Sequence, residues 1–189
     1  MEHRSPHGDE NKNGIARVIC KLCLEKNIDR PKILEIGCHA GTLLDLINKE
    51  IFRFNLLCQL TGIEPDKKAV IVGKEKYPLI NFHVGMHDLA YGMDLKGDIL
   101  LLSYMCLLNP METIQEIFDW AAGKYKYIVL VDDIVNMFGE FPVLRRYYMI
   151  HPFAKMLNQA GFNIIVKLPL ERYTVAANGI ICAEYLGNS

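Results

Sequence analysis

Lys32-Ile33-Leu34-Glu35-Ile36-Gly37-Cys38-His39-Ala40-Gly41 joins a short apolar run to a segment in which apolar residues recur at helical spacing from Thr42 onward. The run breaks at Gly37, so the pattern predicts a buried strand, a tight turn and a helix. In an open parallel sheet, ligands bind outside the carboxyl ends of the strands, and the first strand-to-helix loop normally lies there. The turn from Gly37 to Gly41 is therefore predicted to bind a ligand.

The spacing of the glycines in this turn separates two classes of cofactor. A dinucleotide fingerprint is G-x-G-x-x-G, whose second glycine lets the backbone approach a pyrophosphate. Here the pattern is E-x-G-x-x-x-G, and His39 stands in the middle of the loop. In addition, an acidic Glu35 at the strand end repels a phosphate and suits a cationic ligand. A dehydrogenase is therefore disfavoured.

A second acidic residue follows the next predicted strand. The segment Leu56 to Ile63 has the pattern of a buried strand, and Glu64 stands at its end. A carboxylate in this place can accept two hydrogen bonds from a ribose diol. The alternative is that Glu64 or Asp66 only caps the following helix, for which Asp66 is well placed. The two roles are compatible, with Glu64 on the ribose and Asp66 as the cap.

At Glu35, Gly37, His39 and Gly41 the sequence resembles the class I methyltransferases that use S-adenosylmethionine, whose first motif has an acid followed by three spaced glycines. The middle glycine is replaced by His39. The resemblance implies an α/β three-layer sandwich with a seven-stranded, mostly parallel sheet whose last strand is antiparallel. It also implies that S-adenosylmethionine binds across the carboxyl ends of the first four strands. The residues expected to bind it are Glu35, Gly37, Cys38, His39, Gly41, Glu64, Met86, His87 and Ser103.

Met86 and His87 are included because they follow the predicted third strand, Ile80 to Val84, in a place that resembles the family's third motif. In that motif an apolar side chain packs on the adenine face and polar atoms meet its edge. Such a pairing fits an aromatic base, which needs an apolar surface and few polar groups. An ordinary surface turn is the alternative.

The predicted fourth and fifth strands end in residues that bear on the chemistry. Methyltransferases acting on base amino groups often carry Asn/Asp-Pro-Pro-aromatic after the fourth strand, whereas this chain has Ser103-Tyr104-Met105-Cys106, which disfavours a nucleic-acid substrate.

The fifth strand ends in Asp132-Asp133. In the magnesium-dependent branch of the family a carboxylate here binds the ion together with one at the fourth strand's end. Because that second carboxylate is missing, no metal is expected. The alternative is a Mg²⁺ ion whose remaining ligands are waters and substrate oxygens.

The candidate catalytic residues are Asp132 as general base or substrate anchor, Tyr104 and His151. The acceptor is expected to bind the connection from Ile134 to Ile150, through Arg146, Tyr147 and Tyr148. These aromatic and cationic side chains suit a compact, partly apolar acceptor. The alternative is that the aromatics pack on the domain or on a second subunit, as in a homodimer.

The 189 residues are 51% hydrophobic and carry a formal charge of −1, which fits one globular domain without a basic nucleic-acid footprint. Residues 1–11 are polar and predict a flexible N-terminal arm, and residues 12–189 are predicted to form a single domain.

Six cysteines lie mostly in apolar stretches and are interpreted as reduced thiols. Cys20 and Cys23 are expected in the core, with half of a zinc site as the alternative. No membrane span or signal peptide is evident, so a cytoplasmic protein is expected.

The resulting hypothesis is an S-adenosylmethionine-dependent methyltransferase that transfers the methyl group to a small-molecule acceptor by in-line displacement. A nucleic-acid or protein methyltransferase is a lesser alternative. A non-catalytic binding or scaffold protein with the same fold is a rival of another class, because fold alone does not imply activity.

Overall fold

The computed structural model of the protein describes residues 9–133, 143–145, 148–150, 152–169 and 178–187. The described α-helices are α1 (Asp9–Glu25), α2 (Thr42–Phe52), α3 (Lys67–Lys76), α4 (His87–Gly92), α5 (Met111–Ala121) and α6 (Phe153–Gln159), with a 3-10 turn at Cys106–Leu108. The described strands are β1 (Lys32–Ile36), β2 (Gln59–Glu64), β3 (Ile80–Val84), β4 (Gly97–Ser103), β5 (Tyr125–Asp133), β6 (Val143–Arg145), β7 (Tyr148–Ile150), β8 (Phe162–Pro169) and β9 (Asn178–Tyr185).

Seven of these strands form one sheet in the order β3-β2-β1-β4-β5-β9-β8. Strands β1 to β5 run parallel, and β9 lies antiparallel between β5 and β8. The strand order reverses between β1 and β4, so the carboxyl ends of these neighbours form the switch point where ligands bind in open sheets. The predicted fold class, with its seven strands and antiparallel ending, is confirmed.

The sheet is buried on both faces, which makes the domain three layers thick. Along β4, Ile99 and Leu101 belong to the core cluster that α1, α2 and α3 cover, whereas Leu100 and Leu102 belong to the cluster beneath α4, α5 and α6. All four side chains are fully buried. A parallel strand covered on both faces needs such a continuous apolar run, which explains why β4 shows no polar alternation.

Several helix and strand boundaries differ from those predicted from the sequence. Helix α1 begins at Asp9, so its first three residues lie within the range 1–11 that was assigned to the arm. Strand β2 begins at Gln59 rather than Leu56. The helix α4 and the small hairpin of β6 and β7 were not predicted. Short elements of this kind carry too few residues for a periodic pattern to be recognised.

The cysteines are free thiols, and Cys20 and Cys23 are buried on the α1 side of the core, as the core interpretation predicted. Within the described ranges, no helix combines the length and apolar character required to cross a bilayer.

The first strand-to-helix turn packs directly on β3, because a Cβ atom added at Gly41 would overlap the ring of Phe82. Gly41 also has a left-handed φ of 78°, a conformation that residues with a Cβ adopt at a cost. Gly123 has a similar φ of 73°, but a Cβ there would meet nothing within 4 Å. The two glycines therefore share the backbone requirement and differ in packing.

We expect Gly41→Ala to destabilise the protein more than Gly123→Ala. Both alanines incur a backbone cost of about 1 kcal/mol, and only the alanine at position 41 adds overpacking against Phe82, of about 1–3 kcal/mol. Urea unfolding of the two variants measures the difference in free energy of unfolding. Equal destabilisation would contradict the close packing of this turn on β3.

Candidate functional site

The turn between β1 and α2 is built from alternating left-handed residues. Gly37, His39 and Gly41 have φ values of 79°, 49° and 78°. The N–H groups of Gly37 and Cys38 both donate to the carbonyl of Ile63 on β2, at 2.8 and 3.2 Å. Histidine enters the left-handed region more readily than most residues. His39 therefore adopts the left-handed conformation that a glycine at this position would allow.

Glu64, at the end of β2, connects two loops. One carboxylate oxygen accepts a hydrogen bond from the N–H of His39 (2.8 Å), and the other accepts one from the N–H of Asp66 (2.9 Å). Asp66 caps α3 by accepting from the N–H of Lys68 at 2.8 Å, so its predicted capping role is confirmed. Each oxygen of Glu64 has a further lone pair, and its ribose-binding role stays a prediction.

Glu35 lies on β1 and is only 2% exposed. Its Oε2 has no hydrogen-bond partner among the described residues. Burial raises the pKa of its carboxyl to about 8, with the charge of Glu64 adding to the rise and that of Lys12 opposing it. Glu35 is therefore mostly protonated at neutral pH, and a cation or a hydrogen-bond donor placed beside it would favour its charged form.

The ends of β4 and β5 bring two candidate catalytic groups together. Ser103 pairs with Val131 of β5, and the N–H of Tyr104 donates to the carbonyl of that same residue at 2.8 Å. Tyr104 has a φ of 56°, which is a strained conformation for a bulky side chain. Burial, and then the charge of the fully buried Asp132, raises the pKa of the Tyr104 hydroxyl to about 12. Tyr104 thus keeps its proton at neutral pH.

Met86 and His87 stand at the start of α4, beyond the end of β3. The Met86 side chain is 55% exposed, and the His87 ring meets that of Tyr91 edge-on at 5.8 Å between centroids. An exposed apolar side chain beside an imidazole has the composition that an aromatic base requires. Their contact with adenine stays a prediction.

Several predicted residues lie outside the described part of the chain, namely His151, Arg146 and Tyr147. Tyr148 belongs to β7, whose backbone alone is described. Among the described residues, no three His, Cys, Asp or Glu side chains come together as a metal-binding group.

Helix α1 contributes two residues that were not predicted from the sequence. Asn11, counted there as the last residue of the arm, is buried and lies near enough to the Tyr104 hydroxyl to oppose the rise of its pKa. Lys12 lies near enough to Glu35 to act on its pKa. No sequence motif marks either residue, because a single polar residue near a helix start looks like ordinary surface.

A cavity of about 190 Å³ lies at the opposite edge of the sheet, and it is lined by Lys32, Ile33, Leu34, Gln59, Thr61, Leu95, Lys96, Gly97 and Tyr125. These residues lie at and near the amino ends of β1, β2 and β4. Ligands of open α/β sheets bind at the carboxyl ends, so this cavity is separate from the candidate site.

Solved structures that match this architecture include methyltransferases. The magnesium protoporphyrin IX methyltransferase of Synechocystis PCC 6803, with bound S-adenosylmethionine, matches with a TM-score of 0.70 at 13% identity, over 93% of this chain and 80% of that chain. The N-terminal domain of EvdMO1, with S-adenosylhomocysteine and D-fucose, matches at 0.68 and 12% identity, over 96% and 84%. A TehB-like S-adenosylmethionine-dependent methyltransferase of Corynebacterium glutamicum matches at 0.65 and 13% identity, over 95% and 90%.

No family model and no curated protein matches the sequence. The structural likeness establishes that the protein has the fold of the class I S-adenosylmethionine-dependent methyltransferases. At identities of 12–13%, it is the fold that the chain shares with these enzymes.

The raised pKa of Glu35 predicts a stability that falls with rising pH. A carboxyl that binds its proton more tightly in the folded than in the unfolded protein stabilises the folded state. This stabilisation is complete below the ordinary pKa of 4.5 and is lost as the pH rises to about 8. We expect the free energy of unfolding of the wild type, relative to Glu35→Gln, to fall over that window by at most about 1.4 kcal/mol per pH unit.

Urea unfolding across this pH range measures the effect. Glu75→Gln, on the exposed side of α3, is the control and should show a nearly constant difference from the wild type. If the difference in free energy of unfolding between the wild type and Glu35→Gln is equally independent of pH, Glu35 is ionised in the folded protein and its burial does not govern its charge.

Proposed function

We propose that the protein binds S-adenosylmethionine and transfers its methyl group to a small-molecule acceptor. The observation that carries this proposal is the left-handed turn at residues 37–41 held by Glu64 at the switch point of the sheet. Magnesium protoporphyrin IX methyltransferase and EvdMO1, which share the fold, were solved with S-adenosylmethionine and S-adenosylhomocysteine respectively.

The residues of the site fit a cationic adenosyl ligand. Glu64 can accept hydrogen bonds from a ribose diol through the lone pairs that the backbone leaves free. Met86 offers an apolar surface for adenine, and the acidic groups at the strand ends favour a positive charge. The Oε2 atom of Glu35, which has no hydrogen-bond partner among the described residues, is a buried polar atom with which a ligand group can pair. Phosphate-bearing dinucleotides fit this acidic edge poorly.

When bound, S-adenosylmethionine supplies an electrophilic methyl group on a sulfonium. The protein's part is to hold the acceptor in line with that group, since orientation alone supplies much of such a rate. Asp132 is our candidate for taking the acceptor's proton, because a carboxylate can act as a general base, whereas a phenol that keeps its proton cannot. Tyr104 keeps its own proton, so we assign it to hydrogen-bond donation toward the acceptor rather than to base catalysis.

A small-molecule acceptor is favoured over a nucleic acid by the near-neutral charge of the chain and by the absence of an Asn/Asp-Pro-Pro-aromatic sequence after β4. We place the acceptor beside Arg146, Tyr147 and Tyr148, whose cationic and aromatic side chains suit a compact, partly apolar molecule, and His151 remains a candidate for proton transfer. The opposing possibility is that these aromatics form an interface between two copies of the chain.

We expect S-adenosylhomocysteine to bind and Glu64→Ala to weaken its binding about 5- to 150-fold, because the substitution leaves ligand hydroxyls and the His39 N–H unpaired. Isothermal titration calorimetry measures the affinity. Asp66→Ala is the matched control, since it removes the cap of α3 at a cost of about 1 kcal/mol in stability and leaves the affinity unchanged.

If the wild type gives no heat and no thermal shift with S-adenosylmethionine or S-adenosylhomocysteine, the cofactor assignment fails. A non-catalytic binding or scaffold role would then be the better account of the fold. A ligand that binds only the native state raises its apparent stability, so a thermal shift reports binding independently of turnover.

Once an acceptor is known, we expect turnover to survive treatment with EDTA. Strand β4 ends in Ser103 and is followed by Tyr104, so it offers no second carboxylate beside Asp132 for Mg²⁺. The measurement compares initial rates before and after chelation, and after adding Mg²⁺ back. Activity that is lost and then restored by Mg²⁺ would show that the metal-dependent alternative is right.

A further inference from the structure

The outward side of α3 exposes two large apolar side chains. Ile71 and Val72 are exposed, whereas Ala69, Val70 and Gly73 on the other side of the helix are buried. A helix that packs on a sheet normally points polar residues toward solvent, because its apolar stripe faces the core. Neighbouring apolar side chains left in water are typical of a surface that contacts another molecule.

The same helix carries a local excess of positive charge. It contains four exposed lysines and one exposed glutamate, namely Lys67, Lys68, Lys74, Lys76 and Glu75. None of these lysines forms an ion pair with a described residue. Lys67 and Lys68 lie in the first turn, where the helix dipole disfavours cations, so helix stability does not explain them. Because the whole chain has a formal charge of −1, the positive charge is a property of this helix and not of the chain.

Four more apolar side chains, each more than half exposed, lie near the end of α3. Strands β2 and β3 are parallel neighbours, so Leu57 and Leu79, which precede them, stand at the same edge of the sheet. The pKa of Lys49, in the last turn of α2, is raised by Asp45 and also by Tyr77, the C-cap of α3, so the ends of the two helices meet. We call the exposed side of α3, with Phe52, Phe54, Leu57 and Leu79, the α3 face.

The charges at the end of α2 leave the α3 face positive. Lys49 is paired with Asp45, and Arg53 with Glu50, so these four charges cancel. The lysines of α3 outnumber its glutamate and the capping aspartate before it. A partner of this face must therefore accept apolar side chains and carry negative charge.

An anionic lipid surface meets both requirements. Apolar side chains enter the boundary between headgroups and acyl chains, and basic residues clustered on a helix pair with the headgroup phosphates. In a two-fold contact between two copies of the chain, the same lysines would face one another and repel. A nucleic acid would pair with the lysines but would leave the aliphatic side chains of Ile71, Val72 and Leu79 without a partner.

We propose that the α3 face docks on an anionic phospholipid surface. Its apolar side chains enter the lipid interface, and the four lysines of α3 pair with headgroup phosphates. The contact is peripheral, with the protein lying on the bilayer. No residue of the α3 face is assigned to the candidate site, so the inference goes beyond the proposed function and does not depend on an adenosyl ligand.

The wild type supplies the first test. Co-sedimentation of the whole chain measures its affinity for vesicles of equal parts phosphatidylcholine and phosphatidylserine, and for vesicles of phosphatidylcholine alone. We expect binding to the mixed vesicles to be at least about tenfold tighter, because each lysine near an anionic bilayer contributes about fivefold. Added salt should weaken this binding, since it screens exposed charges. Equal affinity for the two compositions, or no binding to either, would overturn the inference.

A matched pair of double variants tests the apolar part of the α3 face. Leu57→Gln with Leu79→Gln changes two leucines of the face that are 62% and 79% exposed, and Leu108→Gln with Leu186→Gln changes two leucines elsewhere that are 71% and 69% exposed. We expect the first variant to bind the mixed vesicles about tenfold more weakly, because less apolar surface enters the lipid. The second should stay within about twofold of the wild type.

A second matched pair tests the charge. Lys67→Gln with Lys68→Gln should weaken binding to the mixed vesicles about 10- to 30-fold. Lys126→Gln with Lys155→Gln removes the same charge from exposed lysines of β5 and α6 and should weaken it less than about threefold.

The remaining outcomes assign the face to something else. If each control variant loses as much affinity as its partner, the lipid contact lies elsewhere and the inference is wrong. Light scattering after size-exclusion chromatography measures the oligomeric state. A wild type that ignores vesicles and forms a dimer, which Leu57→Gln with Leu79→Gln converts to monomers, would show that the α3 face joins two copies of the chain. Thermal unfolding of each variant confirms that it is folded, and titration with S-adenosylhomocysteine tests the proposed function separately.

Discussion

The hydrogen bond from the N–H of His39 to the Glu64 carboxylate is the interaction on which the candidate site depends. It joins the turn after β1 to the end of β2, and the carbonyl of Ile63 reinforces the same junction by accepting from Gly37 and Cys38. A carboxylate accepting from backbone N–H groups is a strong, geometrically specific interaction. It holds in place a turn in which His39 has a left-handed φ.

The acidic side chains around this junction differ in their burial and in their hydrogen-bond partners. Glu64 is stabilised by two backbone donors, whereas Glu35 has a buried oxygen without a described partner and a raised pKa. Asp132 is fully buried and raises the pKa of the neighbouring Tyr104. One edge of the sheet thus offers a hydrogen-bonded acceptor, a protonated acid and a candidate base within the same fold.

Periodicity was sufficient for the long or strongly apolar elements. The predicted bounds of β3 agree with the structure, and β2 begins at Gln59 rather than Leu56. The pattern missed α4 and the hairpin of β6 and β7, whose lengths of six and three residues per element are below what periodicity resolves. It also placed the start of the first helix too late, because α1 begins at Asp9 and its first turn has no apolar residue.

The sequence by itself determined the order of the elements, the turn at residues 37–41 and the acids at the ends of β1 and β2, since these follow from local pattern and spacing. Only the tertiary structure decided that His39 adopts a left-handed φ, that burial raises the pKa of Glu35 to about 8 and that Asn11 is buried. The reason is physical: burial, charge state and hydrogen-bond satisfaction depend on contacts between residues that are distant along the chain, and no local pattern encodes them.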